Sequence, residues 1–71
     1  MSQPIVVLDE GSHDLIVRLM GSSVGLQLSR TCPHCTKVLV DVGLARIDES
    51  SGRVKALNAA WSSELRVAVS A

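Results

Sequence analysis

Residues 37–48 read KVLVDVGLARID, and the architecture turns on whether this run is a strand or a helix. Val38, Val40, Val42 and Leu44 fall on one side of a period-two pattern, with Leu39, Asp41, Gly43 and Ala45 on the other. Successive side chains of a strand point to opposite faces, and β-branched residues suit the pleated backbone. The run is therefore expected to be a strand with Val40 inward and Asp41 outward. Behind it lies IDESSGRV, residues 47–54. Asp48, Ser50 and Ser51 can hydrogen-bond the local backbone and Gly52 can take a positive φ, so this is a turn. RVKAL, residues 53–57, then returns as the partner strand of a hairpin.

Toward the N-terminus, Leu15, Val17 and Leu19 alternate with Ile16, Arg18 and Met20. Gly21, Ser22 and Ser23 interrupt, and Val24, Leu26 and Leu28 then alternate with Gly25, Gln27 and Ser29. Glycines at 21 and 25 would weaken a helix interior, which favours a second hairpin. Ile5–Leu8 reads as an earlier strand ending in a polar loop that holds Gly11 and Ser12. At the other end, Val54, Leu57, Trp61 and Leu65 fit one helical face, while Leu65, Val67 and Val69 alternate. A short helical turn over 58–63 and a final strand over 65–70 reconcile the two patterns. The expected fold class is mainly β: a small antiparallel sheet of two hairpins plus a C-terminal strand, with one short helix, as a single small domain over residues 1–71.

Composition limits the roles. For a chain of 71 residues, one hydrophobic core rarely supplies more than about 3–5 kcal/mol, so a metal, a disulfide or a second subunit often completes the stability. With 46% hydrophobic residues the chain is expected to fold. Seven basic residues balance seven acidic ones. Phosphate binding draws on clustered Lys and Arg, whereas Arg18, Arg30, Lys37, Arg46, Arg53, Lys55 and Arg66 are interleaved with acids. There is no Phe or Tyr on which bases could stack. Nucleic acid is not an expected partner. Neither is a membrane, since no apolar run approaches the length of a span and no signal-peptide pattern is present. A cytoplasmic location is expected, where two cysteines serve as thiols or metal ligands more often than as a permanent disulfide. Net neutrality favours self-association.

The chemistry of the chain is concentrated in CPHC, residues 32–35. Between two expected strands it would sit at a hairpin tip, and there Cys32, Pro33, His34 and Cys35, with Thr36 and Lys37 behind them, resemble the knuckle of zinc-ribbon and rubredoxin-like proteins. That resemblance implies zinc held by Cys32 and Cys35. Ribbons usually carry Gly where Thr36 stands, and a second ligand pair is absent from this sequence. Structural zinc takes four ligands. His34 lies inside the short loop and can scarcely turn back to the metal, so His13 is the remaining candidate from the same chain. The rest would come from a partner, most simply a homodimer that repeats the same patch across a two-fold axis.

CPHC is also similar to the active-site tetrapeptide of thiol oxidases in the thioredoxin superfamily, whose first Cys caps a helix N-terminus that lowers its pKa. Three features count against that reading: the strand-like pattern after the motif, the lack of any proline beyond Pro33, and a length below what that fold needs. A third possibility is an inert turn with two small side chains.

The other candidates are weaker. His13 and Asp14 are adjacent but accompany no nucleophile elbow. Asp9 with Glu10, and Asp48 with Glu49, read as turn or edge residues. Trp61, the one aromatic residue, is expected in the core, with an interface anchor as the alternative. The function expected from sequence is a non-enzymatic binding or assembly module of the accessory, adaptor or inhibitor type, of the size viruses and mobile elements encode. It would act through protein contacts, homodimerisation included, with zinc at the CPHC turn as its staple. The alternative is a thiol–disulfide redox protein using Cys32 and Cys35.

Overall fold

The first departure from the expected β fold occurs at Asp9. In the computed structural model, which describes residues 3–68, strand β1 (Ile5–Leu8) forms as expected, but the chain then enters helix α1 (Glu10–Met20). Asp9 is extended, and its carboxylate accepts from the Ser12 backbone N–H at 3.2 Å and the Ser12 hydroxyl at 2.7 Å. It thus satisfies a donor that the first helical turn leaves unpaired. Glu10 lies in the first turn and Arg18 in the last, the order that suits the helix dipole. Ser12, Leu15, Ile16 and Leu19 are buried, at the three- and four-residue spacing of one helical face. Gly21 is the C-cap in the ordinary right-handed region, so the cost of an interior glycine does not arise.

The second departure is the run over residues 37–48. Residues Pro33–Asp41 form helix α2, with Cys32 as N-cap and Pro33 in the first turn, where its missing N–H costs nothing. Cys35, Thr36 and Leu39 face inward. Leu39 is 0% exposed whereas Val40 is 38% exposed, so the expected inward face was displaced by one residue. Gly43, with φ of 81°, ends the helix. Its N–H donates to the Val40 carbonyl at 3.1 Å and that of Leu44 to the Leu39 carbonyl at 2.9 Å, the Schellman pattern of a helix stop.

The remaining elements are short. Strand β2 (Leu26–Gln27) runs into a 3₁₀ turn over Leu28–Arg30, and strands β3 (Ala45–Asp48) and β4 (Arg53–Ala56) follow α2. The expected turn and returning strand are present, but the outgoing strand is Ala45–Asp48 because residues 38–41 are helical. Helix α3 (Asn58–Ser62) and strand β5 (Glu64–Val67) fall where a helical turn and a last strand were expected; positions 69 and 70 of that strand lie outside the described residues. The sheet order is β2-β4-β3, all antiparallel, with β1 and β5 a separate parallel pair. The described residues are mixed α/β with three α-helices, and the mainly β expectation is overturned. The first hairpin is absent because its outgoing half is α1.

Helices α1 and α2 bury Ile16, Leu19 and Leu39 together with Leu8, Leu44 and Val54 of the strands and loops around them. Trp61 does not join this core: it is 53% exposed. It sits on a five-residue helix, where its ring borders a shallow cavity beside Met20, Lys55 and Ala56. Among the described residues no helix is long and apolar enough to cross a membrane.

Gly25 joins α1 to the sheet under tight constraint. Its φ is 79°, and a Cβ there would collide with the Val54 carbonyl oxygen and lie 2.9 Å from Lys55 Cγ. Gly25→Ala is expected to cost roughly 2–4 kcal/mol, from left-handed strain plus overpacking. Gly52→Ala has a similar φ of 67° but open space, and should cost only about 1–2 kcal/mol. Urea unfolding of the two variants measures the difference, and equal midpoints would show that β4 yields to the added methyl.

Candidate functional site

The two departures converge on one place, because the N-terminal ends of α1 and α2 meet at the CPHC motif. Cys32 is exposed and Cys35 is buried, both as free thiols. The asymmetry is helical in origin: the N-cap lies at the helix mouth, whereas Cys35 falls on the inward stripe with Thr36 and Leu39. Thr36 has a structural role that its place in the motif did not suggest. Its buried hydroxyl donates to Thr31 Oγ1 at 2.9 Å, and the Thr31 hydroxyl donates to the Leu28 carbonyl at 2.9 Å. This chain ties α2 to the 3₁₀ turn before it and holds Cys32 at the surface.

The neutral Cys32 sulfur makes no capping hydrogen bond, as expected of a weak acceptor, but ionisation changes its value as one. The Cys35 backbone N–H, then the Cys35 thiol and the His34 N–H, favour the thiolate and hold Cys32 below the ordinary thiol range, against smaller opposing effects of burial and the Asp9 charge. These backbone donors are the ones that a helix N-terminus leaves unpaired. Cys35 moves the other way. Burial pushes its thiol up, the hydrogen bond it shares with Cys32 and the charges of Cys32 and Asp9 add to this, and the Ser12 hydroxyl partly opposes. Of the two sulfurs, ionisation is thus favoured at the accessible Cys32 and disfavoured at the sheltered Cys35.

Helix α1 contributes the back wall. Gly11 has no side chain, and a Cβ there would lie 3.0 Å from Cys35 Sγ and 3.5 Å from Asp9 Oδ2. The glycine is what allows the α1 end to approach the thiol so closely. Asp9 itself is held below its usual carboxylate range, chiefly by the Ser12 hydroxyl and then the Ser12 N–H, with the charge of His34 also contributing.

His13 is not brought to the cysteines. It faces a different cavity, beside Glu10 and Val67, and among the described residues no three His, Cys, Asp or Glu side chains are grouped so as to hold a metal ion. His34 stays at the helix mouth, near Asp9. Asp9, Gly11 and Ser12 were missed as site residues. A capping signal was nevertheless present: Asp9 precedes Glu10, and Ser12 falls three positions later. The Cys32–Pro33 pair likewise fits an N-cap followed by a first-turn proline. No protein-family model, curated protein or solved structure matches this chain.

Proposed function

We propose that the protein exchanges thiols for disulfides through Cys32 and Cys35. The observation that carries this reading is the placement of CPHC on a helix N-terminus, with Cys32 exposed at the cap and Cys35 buried one turn in. Of the objections raised by the sequence, the strand after the motif falls away because α2 occupies those residues, and the missing later proline bears on the thioredoxin fold and not on the thiol pair. A hairpin-tip knuckle would need the strand that α2 replaces. A four-thiolate site shared across a two-fold axis would also need both sulfurs at the surface, and Cys35 is only 7% exposed.

The chemistry follows from the asymmetry. The Cys32 thiolate attacks one sulfur of a disulfide, that bond breaks, and the first thiolate leaves with a mixed disulfide on Cys32. Cys35 then loses its proton to solvent, its thiolate attacks Cys32 Sγ, the mixed disulfide breaks and the second thiolate leaves. The substrate gains two electrons and the protein ends as the Cys32–Cys35 disulfide. A higher-pKa thiol is the stronger nucleophile once ionised, which suits Cys35 to the resolving step.

Alkylation of the reduced protein across pH tests the assignment. A depressed Cys32 pKa keeps the reactive fraction present as pH falls, so the rate at about pH 6 should exceed that of a free cysteine, whose thiolate is scarce well below its pKa of about 8.5. Intact-mass measurement should show a single modified residue, Cys32, and a loss of two hydrogens when a small disulfide replaces the alkylating agent. Slow alkylation that a chelator accelerates would instead return the motif to the zinc-binding module expected from sequence.

A further inference from the structure

Cys32 and Cys35 open onto a cavity of about 330 Å³ that also borders Arg18, Arg30 and Asp14. It adjoins a second cavity of about 280 Å³ lined by Gly25, Gln27 and Arg53, and Leu26 and Arg30 are common to both. A groove therefore runs from the reactive sulfurs past Arg30 to Arg53. Its first part alone falls in the range of about 300–1,000 Å³ that accommodates a small ligand.

Charge along the groove is unevenly distributed. Arg18 is committed to Asp14, its neighbour one helical turn away, at 3.2 Å. Among the described residues Arg30 and Arg53 form no ion pair, and Asp14 is the one carboxylate among those that border either cavity. At the α1 end the Arg18–Asp14 pair is neutral, and Asp9 is faced by His34 at the helix mouth. The end beside β2 and β4 carries Arg30 and Arg53, and the carboxylate opposite Arg53 across the β3–β4 pair, Asp48, is bridged to Lys55 at 3.6 Å. A guanidinium binds carboxylate through a planar fork of donors, so an acidic group on the substrate would be drawn to that end.

We propose that the substrate of this site is a disulfide bearing carboxylate groups, with its reacting sulfur over Cys32 and an acidic group against Arg30 and Arg53. This rests on the thiol–disulfide reading and adds the substrate class to it. The exchange is the two-step transfer described above, with the carboxylate-bearing disulfide as oxidant and its two thiolates as products. Arg30 touches the substrate's acidic group and takes no part in the bond changes.

Three disulfides of different charge separate the two ideas: the anionic dithiobis-nitrobenzoate, the neutral dithiodipyridine and the cationic cystamine. Rates on each, divided by the rate of a free thiol with the same reagent, give the preference of the site. The wild-type protein should favour the anionic reagent over the cationic one, and Arg30→Glu should lower that ratio by about tenfold, within the range local fields impose on association rates. Arg53→Gln should lower it in the same direction by a smaller factor, and added salt should weaken the preference. The neutral reagent corrects for any change in Cys32 itself. A ratio that stays the same in both variants overturns the substrate class. A rate on the neutral reagent no higher than that of the free thiol would overturn the exchange function, while the anionic-to-cationic ratio in the wild type and the variants would still report whether the groove selects anions.

Discussion

Replacing Cys32 with Ser should abolish disulfide exchange, whereas replacing Cys35 with Ser should leave the first step intact and stop the second. The two sulfurs are not equivalent. Cys32 is exposed at a helix mouth whose N–H groups favour its thiolate, and a serine hydroxyl there has no comparable tendency to ionise. Cys35 is sheltered and biased toward the protonated form, so without Cys32 it should react slowly. The Cys35→Ser protein should accumulate as a mixed disulfide, read directly as added mass and released by reductant. Exchange at the wild-type rate in the Cys32→Ser protein would reverse the assignment of attacking and resolving thiols. Loss of zinc from either variant, with a lower melting temperature and a smaller assembly, would favour the knuckle.

The second large effect concerns stability. Leu39→Asp should unfold the protein, while Val40→Asp one residue on should be tolerated. Leu39 has no exposed surface and packs in the core, whereas Val40 is on the outer side of α2. Removing a buried leucine forfeits roughly 1.5–3 kcal/mol of burial. Leaving an unpaired carboxylate in its place adds a penalty of several kcal/mol, and together these exceed the 3–5 kcal/mol or so that a core of this size supplies. At Val40 the main expected cost is an acid near the C-terminal end of a helix, about 0.3–1 kcal/mol. Circular dichroism and urea titration read both variants. If Val40→Asp unfolds and Leu39→Asp does not, residues 38–41 are paired as a strand and α2 is misassigned.

The same residues show why the sequence reading failed where it did. From Leu15 to Met20 nearly every position is apolar, and from Val38 to Leu44 a period of two and a helical spacing both place apolar residues on a face. Valine content favoured strand, but β propensity reflects packing on a pleated, half-buried surface more than any backbone demand. Burial of Leu15, Ile16 and Leu19, and of Cys35, Thr36 and Leu39, overrode it. The caps at Asp9 and Cys32 mark where each helix begins, yet both could also be read as loop residues.

Features set by short-range chemistry are legible along the chain. The Asp48–Gly52 turn, the strand at Ile5–Leu8, the helical turn at Asn58–Ser62 and the spacing of Cys32 and Cys35 all follow from neighbours a few positions apart. Tertiary structure decided which cysteine faces solvent, because that depends on which stripe of α2 meets α1. It also decided that Gly11 and Ser12 stand against Cys35, and that Arg30 and Arg53 share a groove with Cys32. These contacts join residues far apart along the chain, and a local pattern carries no signal for where two such segments pack.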